Sequence, residues 1–272
     1  MQQFSNTPNA ILTSLCKHRQ LIASLVRREV VGRYRGSVLG LLWSFLHPVF
    51  MLAVYTFVFS VVFRARWAAG GESKAEFALA LFAGLLVFNL FAECLNKSPG
   101  LIISNVNYVK KVVFPLETLP WVVFGAALFH FFISLLVWLI FSFFVIGVPH
   151  ITVVLFPLVM IPLGLIVMGL CWFLSSLGVY LRDIAQLVRI VTTTLMFLTP
   201  IFYPATAVPE KYRSLIYCNP LALVVEQFRG LLLYGVTPDW THLALLTGAA
   251  MVFAWAGFAW FQKTRKGFAD VL

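Results

Sequence analysis

The sequence predicts an all-α protein embedded in a membrane. Of the 272 residues, 61% are hydrophobic and only 11% are charged, whereas soluble domains carry about 25% charged residues. Several uncharged runs approach or exceed the roughly 20 residues that a helix needs to cross a bilayer. The formal net charge is +10. Because the basic residues lie between the apolar runs, they indicate membrane topology and anionic headgroups rather than nucleic acid.

The first predicted element is an amphipathic helix over residues 11–35 that lies in the membrane interface. Its apolar residues fall on one face at helical spacing, with polar residues on the other; the apolar face holds Leu15, Leu21, Ile22, Leu25 and Val26. Glu29 and Arg33 are four residues apart with the acid first. That order predicts an ion pair within the helix.

Five uncharged runs then predict six transmembrane helices; they are residues 36–63, 77–92, 118–181, 190–209 and 241–262. The third run has 64 residues and holds two spans, with a turn at GVPH, residues 147–150. An even number of spans places both termini on the same side. That side would hold 14 basic residues and the other side 6, so the termini are expected in the cytoplasm.

The segment between spans five and six does not match a plain loop. The apolar run 214–225 has 12 residues, too few to cross. Pro209 and the Asn219-Pro220 pair are helix-start signals, and Gly230 and Gly235 are stop signals. We therefore expect two short re-entrant helices here.

The sequence carries no pattern of a catalytic or metal site. It has no GxxxxGK[ST] or HExxH motif and no paired carboxylates, so a transport or membrane role is favoured over an enzyme. His130 is expected to be a hydrogen-bonded residue of span three, although an ionisable group inside a membrane is always a candidate site. Glu93 lies near the end of span two, four residues before Lys97. Midplane carboxylates, which ion-coupled transporters use, are missing, so the driving energy is expected from another chain.

Two further features suggest contacts with other molecules. Ser98-Pro99 and Phe114-Pro115 delimit a short helix after span two, either a surface connector or a docking element. Aromatic residues make up 16% of the chain, and most should face lipid or the interface. Some could line a pathway for sugars; the candidates are Trp43, Phe45, Tyr55, Phe59, Trp138, Trp172 and Tyr203.

Three stretches carry a resemblance to a known family: RREVVGRYRGSVLGLLWSFLHP, NYVKKVVFPLE and LTPIFYPATAVPEKYRSLIYCNPLALVVEQFRGLLL. They resemble the permease subunit of ABC exporters for bacterial polysaccharides, and O-antigen exporters most of all. The resemblance implies one transmembrane domain over 1–272, with an interface helix at 11–35, a coupling helix at 97–115 and a periplasmic gate at 204–235. It also implies a homodimer in the bacterial inner membrane.

The same resemblance implies how such a protein works. Two copies of a cytoplasmic ATPase subunit would bind ATP and Mg, so this chain would need no cofactor of its own. The cargo would be a polysaccharide on undecaprenyl diphosphate. Capsule and teichoic acid exporters share the plan and stay open as alternatives, as do a drug or lipid exporter and a membrane enzyme acting on lipid-linked sugars.

Site residues follow from the resemblance by position. The lipid diphosphate would meet Arg28, Arg33, Tyr34 and Arg35, although arginines beside a first span also serve topology and anionic-lipid contacts. Neighbouring Gly32 and Gly36 would let other groups approach closely. The ATPase would contact Ser98, Asn105, Asn107, Tyr108, Lys110, Lys111, Arg182 and Asp183. The gate would include Pro204, Pro209, Asn219, Pro220, Glu226 and Arg229.

Overall fold

The computed structural model describes residues 7–58, 74–110 and 114–272. Within these ranges all regular elements are helical, and short 3₁₀ turns link several of them. The α helices are α1 (Pro8–Lys17), α2 (Arg19–Arg33), α3 (Leu42–Phe57), α4 (Lys74–Lys97), α5 (Val106–Lys110), α6 (Leu119–Val145), α7 (Phe156–Tyr180), α8 (Ile184–Leu198), α9 (Glu210–Tyr217), α10 (Pro220–Leu233), α11 (Trp240–Thr264) and α12 (Phe268–Val271). Two predicted site residues, Phe59 and Lys111, lie outside the described residues.

Four segments of the described chain are long and apolar enough to cross a bilayer; they are Ala75–Gly100, Leu116–Val145, Ile151–Tyr180 and Trp240–Val271. They coincide with predicted spans two, three, four and six. The shorter apolar helices α3 and α8 lie where spans one and five were predicted.

The fifth predicted span, 190–209, differs from the structure in both of its bounds. The helix in this region, α8, covers Ile184–Leu198. It ends there because Thr199 is extended and the following Pro200 has no N–H to continue the ladder. With 15 residues, α8 is about 22 Å long.

The central helix is α4, which packs against α3, α6, α7, α8 and α10. Its side chains are buried on nearly every face, and Leu79, Leu81 and Ala83 are fully covered. The indole N–H of Trp138 on α6 donates to the Leu79 carbonyl at 2.9 Å. An apolar helix surrounded by others in this way forms the bundle core rather than a lipid-facing surface.

Glycines allow α7 to approach its neighbours closely. A Cβ on Gly257 of α11 would lie 2.2 Å from the Gly169 carbonyl oxygen of α7. A Cβ on Gly178 would lie 2.0 Å from the carbonyl oxygen of Pro99, in the turn that follows α4. Small residues at helix crossings are a common packing device in membrane bundles.

The predicted interface helix over 11–35 is two helices in the structure. α1 ends at Lys17, and His18 leaves the helical conformation before α2 begins at Arg19. α2 packs along α6, where the Gly125 position leaves room for Val26. After Arg33 the chain turns towards α3 through Gly36 and Gly40, which have φ of 85° and 51°; only glycine adopts such angles without strain.

Two short helices occupy the segment where a re-entrant pair was predicted. α9 begins directly after Pro209. The Asn219 side chain accepts a hydrogen bond from the Leu221 N–H and so caps α10, with Pro220 at the first helical position. α10 continues through Gly230, however, and ends before Gly235, whose φ is 63°. It packs on α4 and α7.

Candidate functional site

A cavity of ≈ 660 Å³ opens between the end of α2 and helices α3, α4 and α6. Two of the four residues predicted to meet a lipid diphosphate, Arg33 and Tyr34, lie in its wall. Trp43 and Tyr55 of α3 supply aromatic surface there. Further polar side chains also line it; they are Ser44, His47, Asn89, Asn96 and Ser134.

Five charged or ionisable side chains meet beside this cavity, and we call them the Glu93 cluster: Glu29, Arg33, Glu93, Lys97 and His130. All of them except Glu29 line the cavity. Arg33 Nη2 lies 2.8 Å from Glu93 Oε1. Lys97 Nζ lies 2.9 Å from Glu29 Oε1 and 3.5 Å from Glu93 Oε1. The His130 ring lies against both partners of the first pair, with Nδ1 3.2 Å from Glu93 Oε2 and 3.0 Å from Arg33 Nη1.

The Glu93 cluster corrects the predicted Glu29–Arg33 ion pair. The acid and base of α2 each pair with α4 instead, as Glu29–Lys97 and Arg33–Glu93. On each helix an acid precedes a base by four residues, Glu29 and Arg33 on α2 and Glu93 and Lys97 on α4. The acid of each helix therefore pairs with the base of the other. Because the cross-helix pairs join two elements, they fix the end of α2 against α4, which pairs within one helix would not do.

The other two predicted phosphate ligands lie away from the cavity wall. Arg28 donates to the Tyr108 hydroxyl at 3.0 Å, and Arg35 is exposed. A Cβ at Gly32 or Gly36 would meet nothing within 4 Å, so no group of the described chain packs against these glycines. Gly36 is required for its backbone angle instead.

The predicted channel aromatics separate into two groups. Trp43 and Tyr55 line the cavity, and Phe45 packs against the main core beside it. Trp172 does not reach the cavity, because it is fully buried against Phe258 and donates its indole N–H to the Glu117 carbonyl. Trp172 is thus a packing residue in the described structure.

Trp138 is likewise buried in the core. Tyr203 donates its hydroxyl to the Phe197 carbonyl at 3.0 Å, beyond the end of α8.

The predicted coupling helix is a run of short turns, Ser98–Gly100, Ile103–Asn105 and α5. Ser98 and Asn105 bond back to the preceding carbonyls of Cys94 and Leu101. Tyr108, besides accepting from Arg28, stacks on Phe114 with ring centroids 4.3 Å apart. Lys110 donates to the Leu272 carbonyl. These contacts hold the segment against α2 and the end of the chain.

Three other predicted coupling residues are exposed, namely Asn107, Arg182 and Asp183. Arg182 and Asp183 form the connection between α7 and α8, with Asp183 at the start of α8. These two residues follow the end of α7, shortly after Gly178, which contacts Pro99. The segment 97–115 and the Arg182–Asp183 connection therefore adjoin the same end of α7.

The predicted gate residues include a buried arginine. The Arg229 guanidinium is 3% exposed and donates to the carbonyls of Ala80, Pro200 and Ile201. Gly84 makes room for it, since a Cβ there would lie 2.8 Å from Arg229 Nη2. Burial lowers the pKa of Arg229 to about 10, so it still carries its charge at neutral pH.

The remaining gate residues lie on α10 or in the segment that precedes it. Burial raises the pKa of the Glu226 carboxyl, one turn before Arg229 on α10. The Asn219 amide donates to the Thr199 hydroxyl at 3.0 Å, which links the start of α10 to the end of α8. Pro204 precedes a single 3₁₀ turn, and Pro209 precedes α9.

Neither Glu93 nor Lys97 was predicted to lie at the diphosphate site. His130 was predicted to be hydrogen-bonded within the bundle, and its contact with Glu93 confirms this. The available signal was that Glu93 and His130 are ionisable groups in neighbouring apolar runs, a pattern that favours mutual pairing. Among the described residues, no three His, Cys, Asp or Glu side chains come together as a metal site.

The chain is similar to several known proteins. The family model described as ABC-2 type transporter matches residues 20–233. The chain is 31% identical over 262 residues to the O-antigen export system permease protein RfbA of Myxococcus xanthus, covering 96% of this chain and 98% of that protein. It is 28% identical to the protein of the same name from Klebsiella pneumoniae, over 93% of this chain and 95% of the relative.

A relative with a different printed name is also similar. The polysialic acid transport protein KpsM of Escherichia coli is 25% identical over 254 residues, covering 90% of this chain and 93% of that protein. The family match over residues 20–233 spans the part of the chain that contains Arg33, Glu93 and the segment from α9 to α10.

Proposed function

Because the chain belongs to the ABC-2 type transporter family, we propose that it is the permease subunit of an ATP-driven exporter of lipid-linked polysaccharide. Relatives over almost the full length are named as O-antigen export permeases. The observation that carries the proposal is the cavity itself, whose lining combines Arg33 and Lys97 with the aromatic rings of Trp43 and Tyr55 and with the amides of Asn89 and Asn96. A diphosphate needs the cationic side chains, and a sugar chain needs the rings and amides.

In this proposal the lipid diphosphate is held by Arg33 and Tyr34. The planar guanidinium of Arg33 can donate two hydrogen bonds to phosphate oxygens at once. Exposed Arg35 attracts the anionic headgroup towards the site, and Arg28 adds positive charge on α2, the helix that carries Arg33. Trp43 and Tyr55 offer flat rings along which sugar rings can slide.

The energy for transport comes from a partner ATPase, which binds ATP and Mg. The candidate contact is the segment 97–115 together with Arg182 and Asp183. Its link to the substrate site is short, because Arg28 of α2 bonds Tyr108 of that segment while Arg33 bonds Glu93. Movement of the segment would therefore act on α2 directly.

We assign the chain six spans in the bacterial inner membrane, with both termini in the cytoplasm and residues 1–272 forming a single transmembrane domain. The two additional spans are those that contain α3 and α8. Support comes from the distribution of basic residues, 14 on one side against 6 on the other. Segment 204–235, with α9 and α10, then lies on the periplasmic side, where it would gate the exit.

The permease is expected to act as a homodimer. α8 exposes Leu187, Ile190, Phe197 and Leu198, each more than half accessible. It also exposes polar Gln186 and Arg189. Polar side chains are costly against lipid, so a protein surface is a better neighbour for this helix than acyl chains.

Arg33→Gln tests the function in a strain that lacks its own O-antigen export permease and carries this chain with its cognate ATPase. Export and substrate-stimulated ATP hydrolysis should fall about tenfold, because a charge-assisted bond to phosphate is lost. Arg33→Lys keeps the topological charge but loses the fork, and it should also impair export. Arg27→Gln, on the polar face of the same helix, is the matched control and should export normally.

Two results would count against this function. Normal export by both Arg33 variants would reduce that side chain to a topological role. ATP hydrolysis by the isolated chain would contradict the need for a partner.

Capsule export is the second candidate, since the polysialic acid transport protein KpsM is also similar. Complementation in strains lacking either an O-antigen or a capsule export permease distinguishes the two, and teichoic acid export is tested in the same way. A drug exporter or an enzyme acting on lipid-linked sugars would be indicated by drug efflux, or by turnover of a lipid-linked sugar with this chain alone.

A further inference from the structure

Three cationic or ionisable side chains of the Glu93 cluster converge on a single carboxylate. Arg33, Lys97 and His130 each place a nitrogen within 3.5 Å of Glu93. The Glu93 side chain is 17% exposed, whereas that of Glu29 is 46% exposed. Glu93 is therefore the inner acid, and it occupies the place of a bound anion beside Arg33.

We propose that Glu93 is a built-in competing anion that sets the affinity an anionic group must exceed to occupy Arg33, so that a diphosphate binds and a phosphodiester headgroup does not. The inference rests on the proposed function of Arg33. To bind here, any anionic ligand must first displace Glu93 from Arg33 and His130. A phosphodiester headgroup carries one negative charge, like the carboxylate, so the exchange gains it little. A diphosphate carries more charge and more acceptor oxygens, so it can engage both side chains and still gain.

The structure also provides a partner for the displaced carboxylate. Lys97 lies four residues after Glu93 on α4, with Nζ 3.5 Å from Oε1. When the ligand takes Arg33, Glu93 keeps this contact and is not left as an unpaired charge, which would be costly in a partly buried site. The exchange therefore needs only a shift of the Glu93 side chain along its own helix.

Such a filter addresses a difficulty common to basic sites at membrane surfaces. Anionic phospholipids are abundant there and are attracted to arginine-rich segments. An unguarded Arg33 would be occupied by these bulk lipids. Specificity against a common competitor is often obtained by penalising that competitor rather than by strengthening the wanted contact.

The test compares farnesyl diphosphate with the methyl ester of farnesyl monophosphate, a phosphodiester that carries one negative charge like a phospholipid headgroup. Their dissociation constants are measured on the full chain in nanodiscs of neutral lipid. The wild type should bind the diphosphate at least about tenfold more tightly than the phosphodiester. In Glu93→Gln both probes should bind about tenfold more tightly, because the competing charge is gone, so the phosphodiester should occupy the site at concentrations that leave the wild type empty.

Glu29→Gln is the matched control, since it removes an acid from the same cluster but leaves Glu93 in place. It should keep both wild-type dissociation constants. Glu93→Asp retains the charge but withdraws it from Arg33, so both dissociation constants should lie between those of the wild type and Glu93→Gln; this variant serves if the glutamine variant does not fold.

Several outcomes would overturn the role of Glu93 alone. They are unchanged binding of both probes in Glu93→Gln, an equal gain in affinity in Glu29→Gln, and an aspartate variant that binds no more tightly than the wild type. The proposed site itself would fail if neither probe bound the wild type or Glu93→Gln, or if Arg33→Gln left binding of both probes unchanged.

Discussion

At the scale of single residues, Arg229 ties three parts of the chain together. From α10 it donates to Ala80 in α4 and to the carbonyls of Pro200 and Ile201 after α8. The carbonyls of Pro200 and Ile201 lie where Pro200 has interrupted the helical ladder, so they need donors from elsewhere. A guanidinium, with five N–H donors in a fixed fork, can serve all of them at once.

We expect Arg229→Met to destabilise the protein by about 2–4 kcal/mol, because it leaves buried carbonyls without donors. The measurement is the apparent Tm of the detergent-solubilised protein. Arg27→Met, at an exposed position of α2, is the control and should unfold at the wild-type temperature. Equal Tm values for the two variants would contradict the role of Arg229 in joining α10 to α4 and to the segment after α8.

At the scale of elements, the segment after α4 is held on α7 by a contact that only glycine permits. The Pro99 carbonyl lies where a side chain at Gly178 would begin. The same segment reaches α2 through Tyr108 and the end of the chain through Lys110. The proposed ATPase contact is thus connected to both the bundle and the cavity.

Gly178→Ala should separate this segment from α7, because the added Cβ would lie 2.0 Å from a backbone oxygen. We expect a lower apparent Tm and a loss of the permease's stimulation of its partner ATPase. Gly248→Ala is the matched control, since a Cβ at that position in α11 meets nothing within 4 Å. It should be neutral or slightly stabilising, because alanine favours a helix by about 1 kcal/mol. Similar losses in both variants would refute the close contact.

At the scale of the whole molecule, the proposed topology places α1 and α9 on opposite sides of the membrane. Each carries an accessible thiol at its end, Cys16 in α1 and Cys218 directly after α9. The other two cysteines, Cys94 and Cys171, are buried. The native sequence therefore already contains a probe for each side.

A membrane-impermeant thiol reagent added to intact cells should label Cys218 and leave Cys16 unmodified. Cys16 should react only after the inner membrane is opened. Cys218→Ser and Cys16→Ser identify the labelled site by loss of the corresponding adduct. Labelling of both thiols in intact cells would rule out the six-span arrangement.

The sequence by itself determined the membrane character, the four long spans and many helix ends. These features depend on local physics: apolar run length decides which segments can cross, while Pro209, Asn219 and Pro220 decide where α9 and α10 begin. Arg33 and Tyr34, which the resemblance suggested as ligands of the lipid diphosphate, both line the cavity. The break at His18 and the bounds of α8 were missed, because tertiary contacts shift such boundaries.

Only the tertiary structure decided which charges meet. The spacing of Glu29 and Arg33 fits a pair within one helix, yet both side chains reach α4, because α2 lies beside Glu93 and Lys97. Likewise, Trp172 and Trp43 look alike in the sequence, but one is buried in the core and the other faces the cavity. Partner choice depends on how helices pack, and a single sequence carries no local signal for residues 60 or more positions apart.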